Sequence, residues 1–217
     1  MNNRTRVKIC GITREQDARH AAARGADSIG LVFHRPSSRV VDLDQAIAIR
    51  RILPPFVTVT ALFLDETEDW IAQVVHALRP DCLQFHGRES VQICESWRIP
   101  YIKAIPMGDT QNPAEYASQY ASAQGFLMDS NVAGRLGGSG DTFDWSRIPA
   151  TLDFPLLLAG GVNASNVAEA ITRVRPWGVD VSTGVESAKG IKDAGLMDQF
   201  FREVRRGDGY HEIDDDV

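Results

Sequence analysis

The sequence is poor in cysteine, and its cysteines are not arranged for a cross-link or a metal site. Cys10, Cys82 and Cys94 are the three cysteines among 217 residues, and none belongs to a CxxC pair. An odd number of widely separated cysteines argues against a disulfide framework and against a zinc ribbon. This usage is typical of a reducing compartment. We therefore expect a cytoplasmic protein.

Long apolar runs and an excess of basic residues are also missing. No run approaches the roughly 20 residues that span a membrane, and the N-terminal segment lacks the apolar core of a signal peptide. A formal net charge of −6 offers nucleic acid no broad basic face. His20, His34 and His76 fall in no metal-ligand spacing, so we assign no metal. A small-molecule ligand is the remaining expectation.

The chain does contain many short, apolar, β-rich runs, each followed by a helical pattern. Hydrophobic residues make up 43% of the sequence, which is ample for a sizeable core. We predict strands over residues 7–10, 28–33, 57–64, 82–85, 101–105, 125–129, 156–159 and 179–182. Runs this continuously apolar indicate a parallel sheet covered by helices.

Two architectures fit this pattern, a closed eight-stranded barrel and an open doubly wound sheet. The open sheet usually has a glycine fingerprint after its first strand, whereas Gly11 stands alone there. Eight strand–helix units and a glycine-rich end favour a single (β/α)8 TIM barrel. We assign residues 1–217 to this one domain, with an acidic and frayed tail over about 207–217.

Several local signals indicate where helices begin and end. Thr13, with Gln16 three residues later, predicts a capping box for the first helix, which Gly25 closes. Helices are also expected to open near Thr67 and at Pro113, to cover residues 89–97, and to follow a long glycine-rich loop over residues 130–144. A short helix is expected after the last strand.

Two reactive side chains end predicted strands. Cys10 ends the first strand and Asp129 ends the sixth, and the carboxyl ends of barrel strands form the mouth where chemistry is done. A thiol and a carboxylic acid at one mouth make an acid–base couple. Nearby cations or helix N-termini can lower the pKa of a thiol, and an aspartic acid needs its pKa raised by desolvation or a neighbouring anion to donate a proton at neutral pH. Other interpretations stay open, since free cysteines are often small buried hydrophobes and Asp129 could cap a helix or order a loop. His86, at another strand end, is either catalytic or a hydrogen-bonded structural histidine.

Glycine turns follow the last two predicted strands. Gly160 and Gly161 come after the seventh strand, and Thr183 and Gly184 come after the eighth. Backbone N–H groups in such turns bind phosphate, and these two loops are the usual phosphate site of the barrel. The alternative is a pair of tight turns without a ligand.

Lys8 and Asp180 are polar residues inside the first and last strands. These strands become neighbours when the barrel closes, so we predict an interior ion pair between the two side chains.

Motifs along nearly the whole chain resemble those of the phosphoribosylanthranilate isomerase family. They lie at residues 8–13, 36–39, 83–87, 137–140, 143–145, 159–161 and 179–186. The resemblance implies a (β/α)8 barrel of tryptophan biosynthesis that converts N-(5-phosphoribosyl)anthranilate to 1-(2-carboxyphenylamino)-1-deoxyribulose 5-phosphate, without cofactor or metal. It also implies that Cys10 is the general base, Asp129 the general acid and Arg39 a substrate-positioning cation. We expect Asp180 and Gly138 to bind substrate too, and the protein to be a monomer or homodimer.

Rival functions remain within and outside this class. The related isomerase of the histidine pathway has an aspartate on its first strand, where this chain has Cys10. Indole-glycerol-phosphate synthases need an interior pair of Lys and Glu. Lys8 and Lys103 are candidates for that lysine, so this function stays open. A catalytically silent phosphate-binding barrel is a third option, and a turnover assay distinguishes it from an enzyme.

Overall fold

The computed structural model describes residues 4–110, 112–130, 143–149 and 152–209. Within these ranges eight parallel strands form a closed barrel in chain order, and the last strand pairs back with the first. The strands are β1 (Arg6–Cys10), β2 (Ser28–Val32), β3 (Thr58–Phe63), β4 (Cys82–Phe85), β5 (Tyr101–Pro106), β6 (Gly125–Asp129), β7 (Leu156–Leu158) and β8 (Gly178–Val181). The predicted (β/α)8 barrel is confirmed.

Helices connect most of the strands. They are α1 (Glu15–Arg24), α2 (Leu43–Ile52), α3 (Glu68–Leu78), α4 (Val91–Glu95), α5 (Pro113–Ser118), α6 (Val167–Val174) and α7 (Ala194–Gly207). Among the described residues, no helix is long and apolar enough to cross a membrane.

The barrel has its main core between strands and helices and a smaller, more polar interior. The main cluster contains Ile9 and Ile29 of the strands together with Ala18 and Ile49 of the helices. Alternate strand residues point inward, because successive side chains of a strand face opposite sides. Two small apolar clusters lie there, one of Cys10, Val32 and Leu62 and one of Ala104, Leu127 and Ala159. The interior therefore leaves room for polar groups near the strand ends.

Two of the predicted helix starts are confirmed and one is wrong. The side chains of Thr67 and Asn112 accept hydrogen bonds from the first turns of α3 and α5. The predicted capping box of Thr13 and Gln16 does not form, and α1 begins after Arg14 without a side-chain cap. The Thr13 hydroxyl instead donates to the Gly190 carbonyl oxygen at 2.5 Å. This tertiary hydrogen bond removes the capping group from the helix.

Three further expectations need correction. The short helix expected after β8 is a hairpin of β9 (Glu186–Ala188) and β10 (Ile191–Lys192). The helix expected after residues 130–144 is one 3-10 turn over Trp145–Arg147. The helix expected over residues 89–97 is the shorter α4, because Ser90 caps it and Glu89 turns inward to Lys103. The loop residues 131–142, including Gly138, and the tail beyond residue 209 lie outside the described residues.

Candidate active site

A cavity lies at the carboxyl ends of the barrel strands. Its lining contains the predicted site residues Cys10, Arg39, Asp129, Gly160, Gly161, Asp180 and Thr183, together with Val32, Ser37, Leu62, Leu64, Gln84, His86, Ala159, Val162 and Ser182. The fold thus brings together residues that are as far apart in the chain as Cys10 and Thr183. The predicted site residue Gly184 does not line the cavity, and Gly138 lies outside the described residues.

Cys10 shares the floor of the cavity with a buried ion pair. The Lys8 Nζ donates to Asp180 Oδ1 at 2.8 Å, which confirms the predicted pair. Burial acts to lower the pKa of Lys8, but the charges of Asp180 and Cys10 outweigh it, so the pKa is raised. Burial raises the pKa of the Cys10 thiol, and the neighbouring Lys8 ammonium opposes that shift without cancelling it. Of these two opposing effects on the Cys10 pKa, burial is the larger.

Gly30 of β2 makes the space in which Cys10 and Lys8 lie. A Cβ atom at this position would fall 2.9 Å from Cys10 Sγ and 3.0 Å from Lys8 Nζ. These distances are shorter than ordinary carbon contacts, so a side chain here would displace both groups. The sequence contains only a weak signal for this role, namely a glycine in the middle of a strand.

Asp129 faces the side chains that end β4. The Oδ2 atom of Asp129 lies 3.5 Å from His86 Nε2, and His86 Nδ1 lies 3.2 Å from Gln84 Nε2. Burial lowers the pKa of His86, although the charge of Asp129 acts in the opposite direction. The Gln84 side chain is fully buried, and its Oε1 has no partner among the described residues. The acid predicted at the end of β6 is therefore part of a wider polar group.

Arg39 reaches the cavity from the segment after β2 and is held by Glu186 of β9. Its Nε and Nη2 donate to the two Glu186 carboxylate oxygens, each at 2.8 Å. The Lys192 Nζ donates to the same carboxylate at 2.8 Å. Burial acts to raise the pKa of Glu186, but the hydrogen bonds and charges of Arg39 and Lys192 lower it. Glu186 was not predicted, because its partner Arg39 lies 147 positions away in the chain. Lys192 lies six positions from Glu186, but no local pattern marks it as part of the site.

The two glycine turns lie next to each other. Asn163 and Gly184 form an isolated bridge between the segments after β7 and β8. Gly160 and Gly161 have positive φ values of 74° and 67°, a region that favours glycine. Among the described residues, their N–H groups have no hydrogen-bond acceptor. The turn therefore presents unpaired donors beside the cavity.

Lys103 does not line the cavity, although its strand position kept a catalytic role open. Its Nζ donates to Glu89 Oε2 at 3.0 Å and to the carbonyl oxygens of Phe85 and Gly87. With Lys8 bound to Asp180 as well, both candidate lysines are held in ion pairs. This arrangement gives no support to a catalytic Lys–Glu couple in the cavity.

A closed parallel barrel with a thiol, a carboxyl group and two glycine turns around one cavity defines a (β/α)8-barrel enzyme. The family model described as N-(5'phosphoribosyl)anthranilate (PRA) isomerase matches residues 7–203. The N-(5'-phosphoribosyl)anthranilate isomerase of Xanthomonas oryzae pv. oryzae is 48% identical over 211 residues, which cover 94% of this chain and 95% of that one. The chain belongs to the phosphoribosylanthranilate isomerase family, and it is an isomerase of tryptophan biosynthesis.

Solved structures agree with this membership. The phosphoribosyl anthranilate isomerase of Thermotoga maritima superposes with a TM-score of 0.83 at 37% identity, covering 93% of this chain and 99% of that one. A second isomerase structure, at 34% identity and a TM-score of 0.77 with the same coverage, is a complex with reduced 1-(o-carboxyphenylamino)-1-deoxyribulose 5-phosphate.

Proposed function

We propose that Cys10 and Asp129 are the general base and general acid of the isomerisation of N-(5-phosphoribosyl)anthranilate, and that this cavity binds that substrate. One observation carries the proposal: the end of β1 and the end of β6 open into the same cavity as the glycine turns. The reaction, an Amadori rearrangement, needs one proton delivered and one removed. The related structure with a reduced form of the product supports the same ligand class.

Asp129 delivers the first proton. Protonation of the ribose ring oxygen by its carboxyl group opens the ring and leaves an iminium at the anthranilate nitrogen. Asp129 ends β6 and is nearly buried. A carboxyl group that is shielded from water in this way hands its proton to the ligand rather than to solvent.

Cys10 removes the second proton. The iminium acidifies the proton at C2′, which the thiolate of Cys10 takes, and the resulting enolamine tautomerises to the ketone. The Lys8 ammonium favours the thiolate, while burial disfavours it. The rate should therefore rise with pH as the thiolate forms.

Arg39 and the glycine turns hold the two ends of the substrate. The Nη1 of Arg39 has no partner among the described residues, because Glu186 takes Nε and Nη2, and it is the group we assign to the anthranilate carboxylate. The phosphate binds at the N–H groups of Gly160 and Gly161, beside Thr183 and Gly184. The predicted contacts of Asp180 and Gly138 with substrate, and the oligomeric state, stay predictions.

The test is a fluorescence assay in which purified protein consumes freshly made phosphoribosylanthranilate. We expect saturable loss of substrate fluorescence without an added metal or cofactor. Inorganic phosphate should inhibit this loss competitively. A folded barrel that binds phosphate but leaves the substrate unchanged would contradict the proposal and favour a catalytically silent barrel.

A further inference from the structure

Gln84 and His86 extend the site beyond the two residues that exchange protons with substrate. They are alternate residues at the end of β4, so both side chains point to the same side and line the cavity. Gln84 Nε2 lies 3.2 Å from His86 Nδ1, and His86 Nε2 lies 3.5 Å from Asp129 Oδ2. The three side chains form a continuous polar chain from β4 to β6.

We propose that His86 is the positioning residue of Asp129, and that Gln84 fixes the imidazole tautomer that allows it to act. The inference rests on the acid role proposed for Asp129. His86 Nε2 lies 3.5 Å from Asp129 Oδ2, and in the ligand complex this separation shortens so that the Nε2–H donates to Oδ2. The carboxyl proton then lies on Oδ1, which also accepts from the Ser130 hydroxyl at 3.4 Å, and faces the ligand. Gln84 sets the tautomer because its amide N–H donates to Nδ1, and a neutral imidazole has only one N–H.

The surroundings of His86 keep the imidazole neutral. Burial lowers its pKa; the charges of Lys103 on β5 and Lys8 on β1 act in the same direction, while Asp129 on β6 and Asp180 on β8 oppose them. A neutral ring with an acceptor at Nδ1 carries its proton on Nε2. A Gln84 amide in the opposite orientation would place the proton on Nδ1 and turn a lone pair of Nε2 toward Asp129 Oδ2, the oxygen that carries no proton. Repulsion between the lone pairs of these two atoms disfavours that orientation.

The backbone around His86 is held on both sides. The N–H of His86 donates to the Phe63 carbonyl oxygen at 2.9 Å. The next residue, Gly87, donates its N–H to Glu89, and its carbonyl oxygen accepts from Lys103 Nζ at 2.5 Å. Lys103 and Glu89 also form a fully buried ion pair. The imidazole is therefore attached to a rigid strand end, as positioning of a partner group requires.

The test compares two variants that differ in one donor. His86→Leu removes the Nε2–H, and a misplaced acid costs roughly 10²-fold in kcat with KM almost unchanged. His86→Gln retains an amide N–H near the position of Nε2, so we expect it to recover about a tenth or more of the lost turnover. His34→Leu is the matched control, because His34 pairs with Glu66 at 2.7 Å at the same end of the barrel without lining the cavity. Its kcat should remain close to that of the wild type.

A spectroscopic measurement tests the tautomer without reference to activity. The 15N chemical shifts of the His86 ring should show a protonated Nε2 and a bare Nδ1 in the wild type, and Gln84→Leu should abolish this single tautomer. Protonation on Nδ1 in the wild type, or His86→Gln as slow as His86→Leu, would overturn the inference even if the wild type is fully active. An inactive wild type with the expected tautomer would count against the proposed acid role of Asp129 and against the positioning role with it.

Discussion

The ammonium of Lys8 donates to the carboxylate of Asp180 at 2.8 Å across the seam where β1 meets β8. Both groups are buried, and breaking such a pair costs far more than forming it gains. The same ammonium acts on Cys10, whose pKa it lowers against the effect of burial. The Lys8–Asp180 ion pair between the last strand and the first therefore also affects the pKa of Cys10, the thiol that we propose as the base.

Replacement of Cys10 tests the base directly. Cys10→Ser keeps a side chain of similar shape but substitutes a much weaker acid, so kcat should fall by roughly 10²–10⁴-fold. Because burial raises the pKa of Cys10, the wild-type rate should rise with pH through a midpoint above the ordinary thiol value of about 8.5. This rising limb reports formation of the thiolate and should be missing in the serine variant.

Cys94 supplies the control for that experiment. It is a buried cysteine on α4 that does not line the cavity, and Cys94→Ser should keep both the turnover and the rising limb. A folded Cys10→Ser protein with most of its turnover would show that this thiol only packs.

The acid is tested with Asp129→Asn. The amide keeps a hydrogen-bonding group of the same shape but has no carboxyl proton to deliver, so turnover should fall by roughly 10²–10⁴-fold while KM changes little. Steady-state kinetics on the purified variant check this. If KM rose as steeply as kcat fell, Asp129 would be a binding residue instead.

The phosphate site is tested with Gly161→Val. The added side chain crowds the N–H donors of a turn with φ of 67°, so KM and the inhibition constant of inorganic phosphate should rise more than kcat falls. Gly25→Val is the matched control, since Gly25 also has a positive φ, of 103°, but has nothing near its added Cβ. Equal KM changes in the two variants would argue for backbone strain rather than phosphate binding.

Gly30→Ala should raise the pKa of the proposed base, Cys10, without replacing that residue. The new Cβ pushes against Cys10 Sγ and Lys8 Nζ, and overpacking of this kind costs about 1–3 kcal/mol of stability. Moving Lys8 away removes a charge that lowers the thiol pKa, so the rising limb of the pH–rate profile should shift to higher pH. Gly125→Ala is the control, because its Cβ meets the Pro155 carbonyl oxygen at 2.9 Å away from the cavity. The Gly125→Ala protein should lose stability, but the rising limb of its pH–rate profile should stay at the wild-type pH.

Breaking the buried pair of Lys103 and Glu89 should cost far more stability than breaking an exposed pair. Lys103→Met leaves the buried Glu89 carboxylate without its cation, which costs about 3–5 kcal/mol of the free energy of unfolding. Arg173→Ala breaks an exposed pair with Glu169 on α6, and its cost should be about 0.5 kcal/mol or less. Urea denaturation measures both. Similar losses in the two variants would mean that the buried pair is replaceable.

The strands were predictable because their apolar runs are local. The predicted bounds of β4 and β6 agree with the structure, and those of the other strands differ by one residue at one end or at both ends. The capping role predicted for Thr13 failed because its hydroxyl donates to the carbonyl oxygen of Gly190, 177 positions away, and local sequence does not reveal such a partner. The hairpin of β9 and β10 had a local signal that was not used, the two residues Lys189 and Gly190 between short extended runs, with φ of 77° at Gly190.

In the site, residues with a chemical signature were found and residues with a spatial role were not. Cys10 and Asp129 are reactive groups at strand ends, so type and position together marked them. Gly30 matters because of atoms on a neighbouring strand, and Glu186 because it holds Arg39 from a distant segment. Such roles depend on distances that a single sequence does not contain.

The least extensive seam of the barrel lies under the proposed phosphate site. β7 pairs with β8 through Leu157 and Leu158 alone among the described residues, whereas β2 and β3 pair from Ser28 to Val32. Beyond those leucines the two segments meet again at the bridge of Asn163 and Gly184. An anion bound by both turns would link β7 to β8 at this seam. At a hundredfold excess over its dissociation constant it would stabilise the folded barrel by about 2.7 kcal/mol. Bound substrate would therefore stabilise the barrel that forms its own binding site.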